Sequence, residues 1–363
     1  MDDEARSFPL SPAESHDLGK AARTRRYIRQ EIFQPIGKPG QARLASTHVA
    51  VVGVGALGSA SADSLARAGV GMLTIIDRDY VELHNLQRQS LYDEGDVAAR
   101  TPKAIAAAER LKRVNRDIEI IPVVADITSA NIEALTAGAD ILVDGTDNFE
   151  TRYLINDLAV KTNRPWVYGG VIGGGGATMT IRPHRSPCLR CVFPTMPEAG
   201  SAPTCDTAGV LGPAVHVIAA FQASETIKLA IGAVDRINAD LVSIDVWNVN
   251  LHATSLGKPD PDCPCCGRGR YDFLDRAPAM SEMILCGHDA VQVHPYPPVQ
   301  IDLGELAMRL RSIGVVSANR YLLRFTEPNS PLELTVFPDG RAIIAGAGDP
   351  AEARRVYARY IGV

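Results

Sequence analysis

Residues 47–77 read THVAVVGVGALGSASADSLARAGVGMLTIID, and the fold is decided here. The run HVAVVGV (48–54) is apolar and rich in valine, the composition of a strand buried on both faces. Gly53, Gly55 and Gly58 follow in the spacing G-x-G-x-x-G. Residues 57–68 then carry a helical pattern, and MLTIID (72–77) is a second strand ending at Asp77. Glycines let the backbone approach a phosphate closely, and the helix start offers unpaired N–H groups to an anion. Asp77, about twenty residues beyond the glycines, is placed to accept hydrogen bonds from ribose hydroxyls. Tight packing of strand on helix would also call for glycine. The acid in register favours nucleotide binding, without separating NAD from ATP.

Outward from this unit the pattern repeats. A helix over 103–115, a strand IEIIPVVA, a short helix near 131–135, the strand ILVDGT, a helix over 152–161 and the strand WVYGG follow in order. Strands alternating with such helices imply right-handed βαβ units and a parallel sheet. The segment to about residue 168 is therefore expected to be an α/β, doubly wound Rossmann-like nucleotide-binding fold. Upstream, a helix is expected over 21–33, and residues 1–22 are polar and aperiodic, the signature of disorder. Beyond 168 come a glycine-rich stretch, an apolar helix, the strand LVSIDVW and a break at KPDPDCPCCGRG. From about Met280 the pattern is strand, helix, two strands joined at Asp339-Gly340, and a helix over 350–360, a small C-terminal α+β module. The expected organisation is 1–22 disordered, 23–270 the catalytic domain and 280–363 the module.

The formal net charge is -5, which argues against a nucleic-acid protein. The start of the chain has no apolar h-region. The most apolar long stretch, 210–231, carries His216, Gln222, Glu225 and Lys228, so it reads as a core helix and not a membrane span. A cytoplasmic protein is expected, with its seven cysteines reduced, metal-bound or reactive.

The loop after Asp77 is unusual for a dehydrogenase. DRDYVELHNLQRQSLY carries Asn85, Gln87 and Arg88, and Lys103 opens the next helix. The fourth strand ends at Asp144, with Asp147 and Asn148 directly after it. Ligands bind at the carboxyl ends of strands in such sheets, so Asp147 should face the nucleotide, although an acid in this place can also be a helix N-cap. Hydride transfer needs no cluster of Arg, Lys and a spare carboxylate. Nucleotidyl transfer does, because cations offset oxyanion charge and a carboxylate holds Mg²⁺.

Cys188 and Cys191 form one C-x-x-C pair, and Cys263 and Cys266 another. Four thiolates make the usual tetrahedral set for structural zinc, here clipping distant parts of the chain together. Cys265 is an extra thiol inside the second knuckle, able to exchange with Cys266 as a ligand. Cys205 sits alone on a polar loop before the apolar helix, where a thiol is either inert or nucleophilic. Cys286 reads as structural. The run from Gly169 to Gly176 either leaves space for a thin peptide tail or allows strands to cross closely.

With these residues in view, the chain resembles the ThiF/MoeB adenylyltransferases, bacterial relatives of ubiquitin-activating enzymes. The resemblance is carried by RRYIRQEIF, VAVVGVGALG, LTIIDRDYVELHNLQRQ, PKA, DGTDNFETR, CLRC, TCDTAGVLGP, ASETIKL and CPCCG, from residue 25 to about 267. It implies ATP near Ala56, Asp77, Asn85, Arg88, Lys103, Asp147 and Asn148, with Asp147 the magnesium ligand. It also implies that Arg29 reaches into the site of a partner subunit in a homodimer, that the four knuckle cysteines bind zinc, and that Cys205 can bond covalently to the carrier. The reaction implied is adenylation of the C-terminal glycine carboxylate of a small ubiquitin-like sulfur carrier protein ending in Gly-Gly. Sulfur would come from a separate donor protein, since no rhodanese-like domain follows. Ala56 stands where glycine is more usual and His84 where serine is. The C-terminal module looks like an extension of some members. Three rivals are weighed: an adenylyltransferase of this fold acting on another carboxylate or amide, an NAD-dependent dehydrogenase, and a non-catalytic scaffold that binds nucleotide and would not need Asp147 and Lys103.

Overall fold

The computed structural model describes residues 26–197, 205–276, 281–285, 290–295, 297, 299–328, 330–347 and 349–362, with the backbone alone at 205–206 and 281–285. The expected disorder of residues 1–22 lies outside the described residues, as does Cys286.

Two short helices come first, α1 (Ile28–Ile32) and α2 (Gly37–Leu44). The expected helix over 21–33 is thus short in its described part, and α2, with Pro39 in its first turn, escaped the periodicity argument. The nucleotide-type unit follows as β1 (His48–Val52), α3 (Ala56–Ala68) and β2 (Met72–Asp77). Next come α4 (Glu94–Ala99), α5 (Lys103–Val114), β3 (Glu119–Val124), α6 (Ile132–Leu135), β4 (Ile141–Asp144), α7 (Phe149–Lys161) and β5 (Trp166–Ile172). Strands β3-β2-β1-β4-β5 lie side by side and parallel.

Beyond β5 the sheet changes character. Strands β6 (Gly175–Ile181), β7 (Asp240–Asp245) and β8 (Asn250–Ser255) continue it as an antiparallel meander, giving eight strands. The sheet is therefore mixed, with its parallel part confined to the first five strands. Between β6 and β7 lie α8 (Leu189–Val192), α9 (Cys205–Ala208) and α10 (Gly212–Ile231).

β1 shows why the sheet is covered on both faces. Val49 and Val51 join a core with α3, α5 and the end of α10, while Ala50 and Val52 join a second core with α7 and the cysteine knuckles. Among the described residues, α10 is the helix long and apolar enough to cross a membrane, and half of that stretch is buried. Its polar groups reach into the sheet: Gln222 Nε2 donates to the Asp144 carbonyl at 2.7 Å, and Glu225 Oε2 accepts from Thr180 at 3.1 Å.

The glycine run belongs to this packing. A Cβ on Gly169 would lie 2.4 Å from Gln222 Nε2, and one on Gly176 would lie 2.5 Å from the Gly170 carbonyl oxygen. Close approach of β5 and β6 to each other and to α10 is what requires glycine there.

The C-terminal segment holds β9 (Ser281–Leu285), β10 (Ala290–His294), α11 (Leu303–Leu310), β11 (Val315–Ala318), β12 (Leu323–Thr326), β13 (Glu333–Val336), β14 (Ala342–Ala345) and α12 (Pro350–Tyr360). It forms its own six-stranded antiparallel sheet in the order β11-β12-β13-β14-β10-β9. The Asp339-Gly340 turn joins β13 to β14, with Gly340 at φ 82°. Three more strands are present than the pattern suggested, because strands of four or five residues carry too few alternations to register.

Candidate active site

The carboxyl ends of β1 to β4 converge on the glycine turn. Gly53 has φ 84°, and a Cβ on Gly58 would lie 1.8 Å from the Gly53 carbonyl oxygen. Only glycine closes this turn. Gly55 differs, since a Cβ there would meet only Gln89 Nε2, at 3.8 Å, within ordinary contact distance. Ala56 is the first residue of α3, at the positive end of the helix dipole. Asp77 is buried and binds the turn: Oδ2 accepts from Val54 N–H at 2.7 Å and Oδ1 from Asp79 N–H at 2.8 Å. Burial raises its pKa above the usual carboxylate value, opposed by Lys103.

Lys103 is buried at the start of α5. Its Nζ donates to Asp79 at 3.2 Å, and its backbone N–H donates to the Asp79 carbonyl at 2.8 Å. Burial works against the ammonium, but Asp79, Asp77 and Asp147 outweigh it and hold Lys103 above its ordinary value. Arg78 behaves alike: burial lowers it, and Asp126, Asp79 and Asp147 more than compensate. Asp147 therefore lies within electrostatic reach of both cations. It is exposed in the bend after β4, and the N-cap of α7 is not Asp147 but Asn148, whose Oδ1 accepts from Thr151 N–H at 2.8 Å.

Arg88 is half-buried, with Nη1 on the His84 carbonyl at 2.9 Å. Asn85 is buried, and its Oδ1 accepts from Glu82 N–H at 3.1 Å, closing a short 3₁₀ turn. Of the two glutamines in NLQRQ, Gln87 is exposed, whereas Gln89 is buried beside Gly55 with Oε1 unpartnered. A buried amide without a partner costs free energy unless a ligand satisfies it. No local pattern in NLQRQ separates Gln89 from Gln87.

Behind the site lies a pair that the motifs did not announce. Arg152 on α7 is buried and donates to Asp144 Oδ2 at 3.2 Å, to the Thr146 carbonyl at 2.8 Å and to the Gly169 carbonyl at 3.2 Å. It ties the end of β4 to the middle of β5, within electrostatic reach of Asp147. Burial raises the Asp144 pKa, with Arg152 and Thr146 opposing.

Arg29 is not brought to this site within one chain. It is exposed on α1, whose Gln30 bonds the Ala68 carbonyl at 2.9 Å, at the C-terminal end of α3. The glycine turn is at the other end of that helix, about 18 Å away at 1.5 Å per residue. Cys205 begins α9, and its side chain lies outside the described residues.

The knuckles meet in the core that α7 shares with Ala50 and Val52. The sulfurs of Cys188, Cys191, Cys263 and Cys266 all lie within 4.8 Å of one another, with Cys188 to Cys263 at 3.6 Å and Cys191 to Cys266 at 3.3 Å. A tetrahedral ion with bonds of about 2.3 Å sets its sulfurs roughly 3.8 Å apart, so this set fits one metal ion. Cys265 stands outside the set, buried, where it accepts from Asn156 Nδ2 at 3.3 Å.

A model of the ThiF family matches residues 27–265. The sulfur carrier protein ThiS adenylyltransferase of Bacillus subtilis is 42% identical over 341 residues, covering 93% of this chain and 100% of that protein. The SAMP-activating enzyme E1 of Haloferax volcanii is 39% identical over 250 residues, 69% of this chain and 91% of that one. Among solved structures, Escherichia coli MccB crystallised with succinimide superposes with a TM-score of 0.58 at 25% identity, over 67% of this chain and 74% of that one.

Proposed function

The chain belongs to the ThiF family, and on that premise we propose that it is an ATP-dependent adenylyltransferase acting on the C-terminal glycine carboxylate of a small sulfur carrier protein. The products are an acyl-adenylate and pyrophosphate. The observation that carries this reading is the clustering of Lys103, Arg78, Asp77, Asp79 and Asp147 around a glycine turn at the carboxyl ends of parallel strands. The match to the Bacillus subtilis enzyme along nearly its whole length supports the substrate class.

The carrier's terminal carboxylate has an ordinary pKa of about 3.5, so it is ionised at neutral pH and needs no general base. The difficulty is electrostatic, one anion attacking another. The chain's task is to position and to neutralise. ATP is assigned with its phosphates over Gly53, Gly55, Ala56 and Gly58 and its ribose at Asp77. Arg88 and Lys103 face the phosphates, with Asn85, Asn148 and Gln89 lining the site. Asp147, an exposed carboxylate beside two cations, suits a Mg²⁺ ligand, and the metal would offset charge on the departing pyrophosphate. The four knuckle sulfurs suit a closed structural zinc.

The position of Arg29, exposed and a helix length from its own glycine turn, supports a homodimer in which it serves the site of a second copy. Sedimentation at working concentration showing only single-chain mass would end that reading.

Pyrophosphate exchange tests the central claim. Labelled pyrophosphate should enter ATP only when carrier and Mg²⁺ are both present. A carrier lacking its last glycine should be inert, since its carboxylate falls short by about 3.5 Å. Exchange without any carrier, or NAD binding tighter than ATP binding, would overturn the assignment.

A further inference from the structure

The loop after β2 is gripped by the C-terminal sheet. Arg341, at the start of the strand that returns from the Asp339-Gly340 turn, is completely buried. Its Nη2 donates to the Arg78 carbonyl oxygen at 2.6 Å, across 263 residues of sequence. Its Nη1 donates to Gln292 Oε1 at 3.4 Å, and Gln292 Nε2 donates to Asp126 Oδ2 at 2.8 Å. Asp126 Oδ1 in turn accepts from Arg78 Nη1 at 3.0 Å, which closes a ring of four side chains. His294 stands against the same carboxylate, with Nδ1 3.6 Å from Asp126 Oδ2. Two residues beyond Arg78, Tyr80 packs against the cluster of Ala290, Leu322, Phe337 and Ile343.

The bond to Arg78 fixes one particular peptide. The carbonyl of the Arg78–Asp79 peptide is held by Arg341, and its N–H is held by Asp77 Oδ1 at 2.8 Å. A peptide unit is planar, so holding both ends fixes its orientation. That orientation sets two groups of the nucleotide site. It aims the Asp77 carboxylate, whose other oxygen ties down the glycine turn through Val54. It also places Asp79, which receives both the backbone and side-chain bonds of Lys103.

A fully buried guanidinium is costly. An apolar side chain would fill the space more cheaply if packing were all that mattered. The burial of Arg341 is strong enough to lower its pKa despite Asp339, Asp126 and Asp79 nearby. The alignment with the Bacillus subtilis relative covers 341 residues of this chain, so it runs through most of this second sheet.

We propose that Arg341 is a positioning residue for nucleotide binding, and that the C-terminal sheet holds the Arg78–Asp79 peptide in the orientation the ATP site requires. The proposal rests on the adenylyltransferase reading. Arg341 acts through the peptide and through Asp77 and Lys103, without touching the nucleotide.

Calorimetric titration of the full-length chain with Mg²⁺-ATP, without carrier, tests it. Arg341→Lys keeps the charge but cannot make both bonds. It should raise the ATP Kd by about tenfold, within the range expected for a sub-ångström to ångström misplacement. Gln292→Leu, which cuts the link to Asp126, should shift it in the same direction by about threefold. Tyr360→Phe is the control. It removes a 2.8 Å bond from α12 to Glu327, in the loop after β12 of the same C-terminal module, and should lower the melting temperature while leaving ATP affinity unchanged. If Arg341→Lys does not fold, Gln292→Leu decides. Folded Arg341→Lys and Gln292→Leu chains whose Kd stays within about twofold of wild type would overturn the proposal. So would a Tyr360→Phe shift as large as theirs. A wild-type chain that binds no ATP would instead refute the adenylyltransferase reading itself.

Discussion

The two polar clusters of this molecule, one at the ends of the parallel strands and one in the core beside α7, balance charge in opposite ways. At the strand ends, opposite charges answer one another: Lys103 bonds Asp79 at 3.2 Å and Arg78 bonds Asp126 at 3.0 Å. That cluster is largely satisfied by the chain alone, and Asp147 is its exposed remainder. At the knuckles, four groups of the same kind crowd together, with Cys188 and Cys191 sulfurs 3.9 Å apart and Cys191 and Cys266 3.3 Å apart. Four sulfurs so placed suit a cation at their centre, and on the reading proposed above the second cluster would draw its stability from that metal. On the proposed function the first cluster serves a reaction, and the second would hold α8 against the segment of 263–267. Changes in one should alter rate, and changes in the other should alter stability.

The largest effect expected from this contrast is at Asp147. Asp147→Ala should lower pyrophosphate exchange by about a thousandfold while the chain keeps its melting temperature and binds nucleotide, because an exposed side chain contributes little to folding. A substantial fall in melting temperature together with unchanged exchange would reverse the roles given to the two clusters.

A second measurement sharpens where the reactive cluster ends. Mixing Arg29→Ala chains with Asp147→Ala chains should restore about a quarter of wild-type exchange, since half of the dimers are mixed and each mixed dimer has one complete site. No recovery, with subunit exchange shown by mass, would confine the site to a single chain.

The smallest effect on rate, and the largest on stability, belongs to the knuckles. Cys263→Ser should release about one zinc per chain and lower the melting temperature by on the order of 10 °C. At a temperature where the variant remains folded, the KM for ATP should match wild type. A metal-free preparation with wild-type stability would remove the distinction between the clusters.

The sequence by itself determined the parts whose causes are local. Gly53 and Gly58 show in the sequence because no side chain fits where the turn folds back on itself. Asp77 and Lys103 show because strand ends and helix starts fall at readable positions along a periodic pattern. The cysteines show because a C-x-x-C pair places two sulfurs on one knuckle whatever the rest of the chain does. Only the tertiary structure decided which glutamine of NLQRQ turns inward, that α7 sends Arg152 to Asp144 and the Gly169 carbonyl, that Arg29 stands a helix length from its own glycine turn, and that Arg341 closes on the Arg78 carbonyl. Each of these depends on segments that meet only after the sheets have formed, up to 263 residues apart for Arg341. A buried arginine is stable only with such distant partners in place, and no local pattern records which partners those are.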